Sequence, residues 1–363
     1  VTVLVVGTRL SSKERGVRGA IERASEGATF VADAAAALAA VQHGPPRCVF
    51  VDAEAGVREI NEALRTRADC FGVPLIALTE HASEQAWLDL HALGADDVVQ
   101  LHDLAGMTRR TSALASFDPN ARTSLFQGTC LLAHDDPYRR AVLGRVLRQG
   151  GYEVAFAGSA QDALHVTEQS PPKVVVVSSR LPPDGGAHAL GLLAEQWLGT
   201  MPAVLLTESG APASEAPTRF CAIREDAPPD DLLFVINELL RPRELLESRA
   251  SRRLLYGARC AFRLAGDFDS GLGLTYNISR EGLYVRTFDA PPNKSRVWLE
   301  LVPPGGKAAC QVRGDVVWTR TLATGARGAA PPGFGVRLDF EQCAAEDRNI
   351  YLSAYDKLAA STV

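Results

Sequence analysis

Several groups of residues in this chain have the types and spacing to do chemistry on phosphate. Asp52 closes the apolar run Cys48-Val49-Phe50-Val51, and Asp135-Asp136 follow Leu131-Leu132-Ala133-His134. A carboxylate at the carboxyl end of a buried strand can accept a phosphoryl group, or help hold the Mg²⁺ that such a transfer needs. Ser178 ends the run Val174 to Val177, and Thr79 and Thr207 end two others. A serine hydroxyl is a poor nucleophile without a base, and no base is indicated beside Ser178. Further along, Arg252-Arg253 precede Asn277-Ile278-Ser279-Arg280-Glu281-Gly282. A guanidinium can chelate phosphate oxygens or read the O6/N7 edge of a guanine while stacking on a base. An Asn/Ser/Gly cluster makes a tight polar turn.

The elements that must present these residues fall into three blocks. In the first, Thr2–Gly7, Thr29–Ala32, Cys48–Asp52, Pro74–Thr79 and Asp97–Gln100 read as strands separated by helical stretches such as Lys13–Ser25 and Asp33–Val41. Continuous Val/Leu/Ile runs without alternation imply strands buried on both faces, hence a parallel sheet covered by helices. The rhythm repeats with strands at Cys130–Ala133, Glu153–Ala155, Lys173–Ser178, Ala203–Thr207 and Phe220–Ile223, and helices at Tyr138–Arg148, Ala160–Glu168 and Pro229–Leu240. Ser116–Gln127 is read as the linker between the copies and Arg241–Arg253 as a charged lead into the third block. From Gly257 onward, alternating strands predict a small closed β-barrel: Ala258–Leu264, Gly273–Asn277, Leu283–Arg286, Val297–Leu301, Gln311–Arg320 and Gly335–Phe340. Ala345–Leu358 has helical spacing with one face for packing on the barrel. The expected layout is two α/β flavodoxin-like doubly wound domains, 1–116 and 127–241, followed by an all-β six-stranded barrel with a C-terminal helix at 250–360.

Composition narrows the function. The 363 residues are 46% hydrophobic and 22% charged, ordinary for a globular protein, and the net charge of -5 does not recommend nucleic acid or an anionic membrane as partner. No basic recognition element for DNA is found. No apolar stretch approaches a membrane span, and the N-terminus reads as a first strand rather than a leader. The 7 cysteines are odd in number and scattered, with no C-x-x-C pair or Cys/His cluster of zinc-ligand spacing, which suits reduced thiols in a cytoplasm and no metal.

The first two blocks resemble response-regulator receiver domains. In the first, Val73-Pro74-Leu75-Ile76-Ala77-Leu78-Thr79-Glu80-His81-Ala82-Ser83 resembles the fourth strand of that family, and Gly94-Ala95-Asp96-Asp97-Val98-Val99 the approach to the fifth. The resemblance makes Asp52 the phospho-accepting position. The metal-holding carboxylates the family carries after its first strand are here Gly7-Thr8-Arg9, and its lysine after the fifth strand is Leu101. Asp52 is therefore expected to be a structural remnant. In the second block, Leu131-Leu132-Ala133-His134-Asp135-Asp136-Pro137 resembles the first strand and acidic turn, and Leu181-Pro182-Pro183-Asp184-Gly185-Gly186 the loop after the third. The acceptor position is then Ser178, Thr207 persists, and the lysine position is Glu225. Both blocks are expected to be pseudo-receivers, with Asp52, Thr79, Asp135, Asp136, Ser178 and Thr207 as vestigial positions.

The third block resembles PilZ domains, which bind cyclic di-GMP. Asn277-x-Ser279-x-x-Gly282 matches the family's (D/N)-x-S-x-x-G, followed in order by Gly282-Leu283-Tyr284-Val285, Gly314-Asp315-Val316-Val317-Trp318-Thr319-Arg320 and Gly333-Phe334-Gly335-Val336-Arg337-Leu338. The family's R-x-x-x-R falls on Ser251-Arg252-Arg253-Leu254-Leu255-Tyr256. Arg252 fits the first arginine, Arg253 its common neighbour, and Tyr256 replaces the second. Arg249 to Arg253 satisfies the spacing a few residues too early. A tyrosine can stack on guanine but supplies no cation, and one charge-assisted contact is worth roughly 1.5–3 kcal/mol. The resemblance implies a cyclic di-GMP site at Arg252, Arg253, Asn277, Ser279 and Gly282, with weak binding.

Together these readings give a non-enzymatic, cytoplasmic bacterial signalling adaptor that needs no cofactor. It would work through protein partners in signalling or motility machinery, with cyclic di-GMP as ligand and a homodimer through the receivers within reach. The alternatives are a ligand-independent interaction protein and a response regulator phosphorylated on Asp52. No P-loop, nucleophile elbow or cyclase signature suggests an enzyme.

Overall fold

The computed structural model describes residues 3–7, 10–81, 83–118, 126–197, 201–209, 220–241, 251–267, 269–322 and 330–361. Most of the Ser116–Gln127 and Arg241–Arg253 segments read as linkers lie outside these. So do Thr8, Arg9 and Arg249.

The first α/β unit runs β1 (Val3–Val6), α1 (Leu10–Glu22), β2 (Ala28–Val31), α2 (Ala34–Val41), β3 (Val49–Asp52), α3 (Val57–Arg65), β4 (Leu75–Thr79), α4 (Glu84–Ala92), β5 (Asp97–Gln100) and α5 (Leu104–Ala113). Its strands are parallel in the order β2-β1-β3-β4-β5. The central strands are buried throughout because helices cover both faces of the sheet. Helix starts follow local chemistry: the carboxylate of Asp33 and the hydroxyl of Ser83 accept from the third backbone N–H beyond them.

The second unit repeats the plan with β6 (Gly128–Ala133), α6 (Pro137–Gln149), β7 (Tyr152–Ala157), α7 (Ala160–Gln169), β8 (Val174–Ser178), α8 (Gly186–Gln196), β9 (Ala203–Thr207), β10 (Phe220–Arg224) and α9 (Pro229–Leu240). The parallel order is β7-β6-β8-β9-β10.

The third unit is antiparallel. Strands β12 (Arg259–Leu264), β13 (Gly271–Ser279), β14 (Gly282–Arg286), β15 (Arg296–Leu301), β16 (Cys310–Arg320) and β17 (Gly333–Leu338) close in the order β13-β12-β15-β16-β17-β14 and back to β13. The sequence did not announce β11 (Leu254–Leu255), a two-residue strand added outside the ring against Ile278 and Asn277. Phe262, Ile278, Leu283, Val285, Phe334 and Val336 fill the interior, and α10 (Ala345–Ser361) adds Tyr351 and Tyr355 to it.

The barrel's outer wall serves as a dock. Leu274 on β13 joins the buried cluster of the first unit, and Phe288 joins another. Polar groups are sealed into the same seam. Asp97, 1% exposed, accepts from Arg110 Nε at 2.8 Å and from the Phe288 backbone N–H at 2.7 Å. Arg110, fully buried, also donates to the Leu272 carbonyl at 2.8 Å, and Arg109 Nε donates to both carboxylate oxygens of Asp289. The second unit meets the first through Arg145 and Asp96, with Tyr138 donating to the Leu93 carbonyl at 2.9 Å. It meets the barrel through Asp230, which accepts from Arg286 at 2.9 Å and, on its carbonyl, from Tyr276 at 2.7 Å. Gly257 lets the barrel approach α4, since a Cβ there would lie 2.5 Å from Leu88.

Candidate functional site

At the carboxyl ends of the first sheet, the acceptor-position aspartate is engaged in local backbone geometry. Asp52, 1% exposed, accepts from the Glu54 N–H at 3.1 Å and caps the short turn Ala53–Ala55. Thr79 Oγ1 likewise accepts from the His81 N–H at 3.0 Å. Leu101, at the position where a cation was sought, is buried.

The second sheet's edge is filled by its own charges. Ser178 Oγ donates to Asp135 Oδ1 at 3.1 Å, and Arg180 reaches from 4.0 Å of Asp135 to a short contact with Glu225. Asp136 caps α6 through the Tyr138 N–H at 2.8 Å. His134 is fully buried, and its Nδ1 accepts from the Asp136 N–H at 3.0 Å. That bond leaves the ring proton to Nε2, which sits 3.2 Å from Glu225 Oε1 but off the line of a hydrogen bond. Burial holds the imidazole pKa down, outweighing the pull of Glu225 and Asp135. Thr207 closes β9 beside this cluster and is nearly buried. A guanidinium already serves the carboxylates, and among the described residues no group of three or more His, Cys, Asp or Glu is placed to hold a metal.

The barrel carries an open cleft of about 180 Å³ on which Arg253, Asn277, Ser279 and Gly282 converge. Two pieces of local structure bring them together. The pairing of Leu254 with Ile278 and Leu255 with Asn277 carries Arg253 to the level of Ser279. The turn between β13 and β14 is then pinned: Ser279 Oγ donates to the Gly282 carbonyl at 3.1 Å, and Tyr351 Oη reaches the carbonyls of Ser279 (2.9 Å) and Gly282 (3.1 Å). Tyr355 Oη donates to the Arg252 carbonyl at 2.7 Å, so α10 grips both sides of the cleft. Arg252 is exposed but is not part of the cleft lining.

Tyr256 departs from its expected place. Its ring packs against the barrel interior, and its hydroxyl donates to the Val302 carbonyl at 2.9 Å. The reason is strand parity. Side chains alternate along an extended segment, so Tyr256 follows Leu254 inward while Arg253 stays out. Tyr256 therefore offers the cleft neither a cation nor a stacking face.

Residues that motif reading missed occupy the opposite wall. Trp318 on β16, together with Arg337 on β17, lines the same cleft, and Glu281 of the turn itself adds the one acid. The indole lies across Gly335, where a Cβ would meet Nε1 at 2.5 Å, and stacks on Tyr284 with centroids 4.6 Å apart and planes 14° from parallel. From there a file of rings continues through Tyr284–Tyr276 at 5.8 Å to Tyr276–Phe234 at 6.0 Å, ending on α9 of the second unit. No single-strand pattern signals this wall, because it is assembled from β14, β16 and β17.

The family model of the response regulator receiver domain matches residues 130–218, so the second unit is a receiver domain. No curated protein matches the chain. Similar solved structures include a probable two-component system response regulator/GGDEF domain protein (16% identity, 66% of this chain and 100% of that one, TM-score 0.29). The chemotaxis response regulator CheY4 of Vibrio cholerae is 19% identical over 32% of this chain and 100% of its own, TM-score 0.29. The Bacillus subtilis inhibitor of motility is 16% identical over 33% of this chain and 57% of its own, TM-score 0.26. The chain is thus two parallel α/β units, the second matching the receiver-domain family model, followed by a closed antiparallel barrel. Among the described residues no helix is long and apolar enough to cross a membrane.

Proposed function

We propose that this protein is a non-enzymatic signalling adaptor whose barrel is of the PilZ kind, binds cyclic di-GMP weakly, and conveys occupancy to a protein partner in motility or surface-behaviour control. The observation carrying this reading is the convergence of Arg253, Asn277, Ser279 and Gly282 on one open cleft. The contrast with the α/β units supports it. There, Asp52 caps a turn, Ser178 is tied to Asp135, and Arg180 bridges to Glu225, so these groups are engaged with one another. A guanidinium beside polar turn groups suits a phosphodiester and the edge of a guanine. The ring file from Trp318 to Phe234 gives the cleft a physical connection to the receiver unit.

Calorimetric titration with cyclic di-GMP tests the reading. Wild type should bind in the micromolar range or weaker, and Arg253→Ala should weaken binding by about one to two decades. Absence of heat at millimolar ligand would leave the ligand-independent adaptor as the better account. Incubation with acetyl phosphate and Mg²⁺, followed by intact-mass measurement, should show no phosphoryl adduct. An adduct on Asp52 would favour the response-regulator alternative.

A further inference from the structure

The cleft needs a second cation and an aromatic plane if it is to hold a purine phosphodiester, and Tyr256 supplies neither. We infer that Arg337 and Trp318 form the second half of the binding site: Arg337 pairs with a ligand phosphate opposite Arg253, and the Trp318 indole is the surface on which a purine stacks. This inference rests on the nucleotide-binding reading of the cleft.

Arg337 pairs in register with Gly282, the last residue of the turn motif, and so stands directly across from it. Its side chain is exposed, lines the cleft, and makes no hydrogen bond or ion pair among the described residues. Its cross-strand neighbour Asp315 attracts it, but that carboxylate is already hydrogen-bonded by Arg296 at 3.0 Å. One acid, Glu281, shares the lining with two arginines, so the cleft is net positive. A guanidinium without a fixed partner at the rim of such a cleft is suited to a phosphate.

Trp318 is fixed in advance. Tyr284 holds it in a near-parallel stack, and Gly335 lets it lie against the backbone of β17. A ring already immobilised loses little entropy when a base stacks on it, and base–aromatic stacking adds binding without demanding one sequence of bases. The arrangement predicts a ligand with a purine within reach of a phosphodiester. It assigns no role to position 256.

Calorimetry with cyclic di-GMP on the full chain provides the test, using wild type, Arg337→Ala, Arg337→Lys and Tyr256→Phe. Arg337→Ala should weaken binding about ten- to hundredfold, Arg337→Lys should recover part of it, and Tyr256→Phe should bind as wild type does. Tryptophan emission adds an independent readout: ligand should change the emission of wild type, and Trp318→Phe should abolish that change while Trp87, Trp197 and Trp298 remain. If wild type binds and Arg337→Ala stays within twofold, or the emission change survives in Trp318→Phe, this assignment is wrong while the cleft reading stands. If wild type does not bind at all, both fail together.

Discussion

The seam between the first α/β unit and the barrel contains an ion pair sealed from water, and replacing Arg110 by Met should expose its energetics. Met keeps the aliphatic stem and removes the charge. Asp97 would then retain the Phe288 N–H at 2.7 Å and the Val98 N–H at 2.8 Å, but no countercharge, at 1% exposure. The Leu272 carbonyl would lose its shorter hydrogen bond as well, keeping only the Thr287 hydroxyl at 3.5 Å. Breaking a buried pair by removing one partner costs about 3–5 kcal/mol, because the remaining charge stays desolvated. For a cooperative body of roughly 200 residues that is a fall in melting temperature on the order of 10 °C. Asp97→Asn should cost less, since Asp289 lies 3.7 Å from Arg110 and partly compensates it. The double variant should recover much of the loss, giving a coupling of about 2 kcal/mol or more in a double-mutant cycle. Calorimetric and urea unfolding of the full chain would measure all three, with calorimetric and van't Hoff enthalpies compared to check that the seam unfolds as one transition. If Arg110→Met shifted stability by no more than about 0.5 kcal/mol, the range of ordinary surface changes, the seam would be open to water and the argument refuted.

Further outcomes follow from the other junctions. Burial pushes the Asp231 carboxyl up to about 7, against the attraction of Arg286. An unfolded aspartate titrates near ~4, so between roughly pH 4 and 7 the unfolded chain releases a proton that the folded chain keeps. Stability from this group therefore falls as pH rises through that window and is flat above it. Asp231→Asn should raise the melting temperature at pH 8 and leave it unchanged near pH 4; an equal shift at both would show that burial is not the cause. At the junction of the two α/β units, Arg145→Ala leaves Asp96 with the Leu75 N–H at 2.8 Å and, as countercharge, the longer contact to Arg65 at 3.9 Å. Hydrogen exchange should quicken along α3 and α6 while the central strands keep their protection, and unchanged exchange there would count against a docked pair.

Much of the framework was legible in the sequence because it depends on local periodicity. Unbroken runs such as Val174–Val177 can only be strands covered on both faces, and the alternation in Gln311–Arg320 marks a strand with one face inward. Asn277-x-Ser279-x-x-Gly282 located the turn of the cleft for the same reason: its chemistry lies within one short segment. The lost cation at Leu101 was also legible, since it is a matter of residue identity; the Asp135 carboxylate that accepts from Ser178 Oγ at 3.1 Å, where no base was indicated, was not.

Other features were decided by tertiary structure. Tyr256 and Arg253 lie in one short stretch, yet the parity of a two-residue strand sends one into the barrel and the other into the cleft. Arg337 and Trp318 reach the cleft because ring closure sets β14 and β16 on either side of β17. Asp97 and Arg110 are sealed from water because the barrel wall docks over them. Sequence periodicity specifies how a segment folds against its own neighbours. Which distant charges share a pocket, and how much water they keep, depends on the order in which the sheets close and dock.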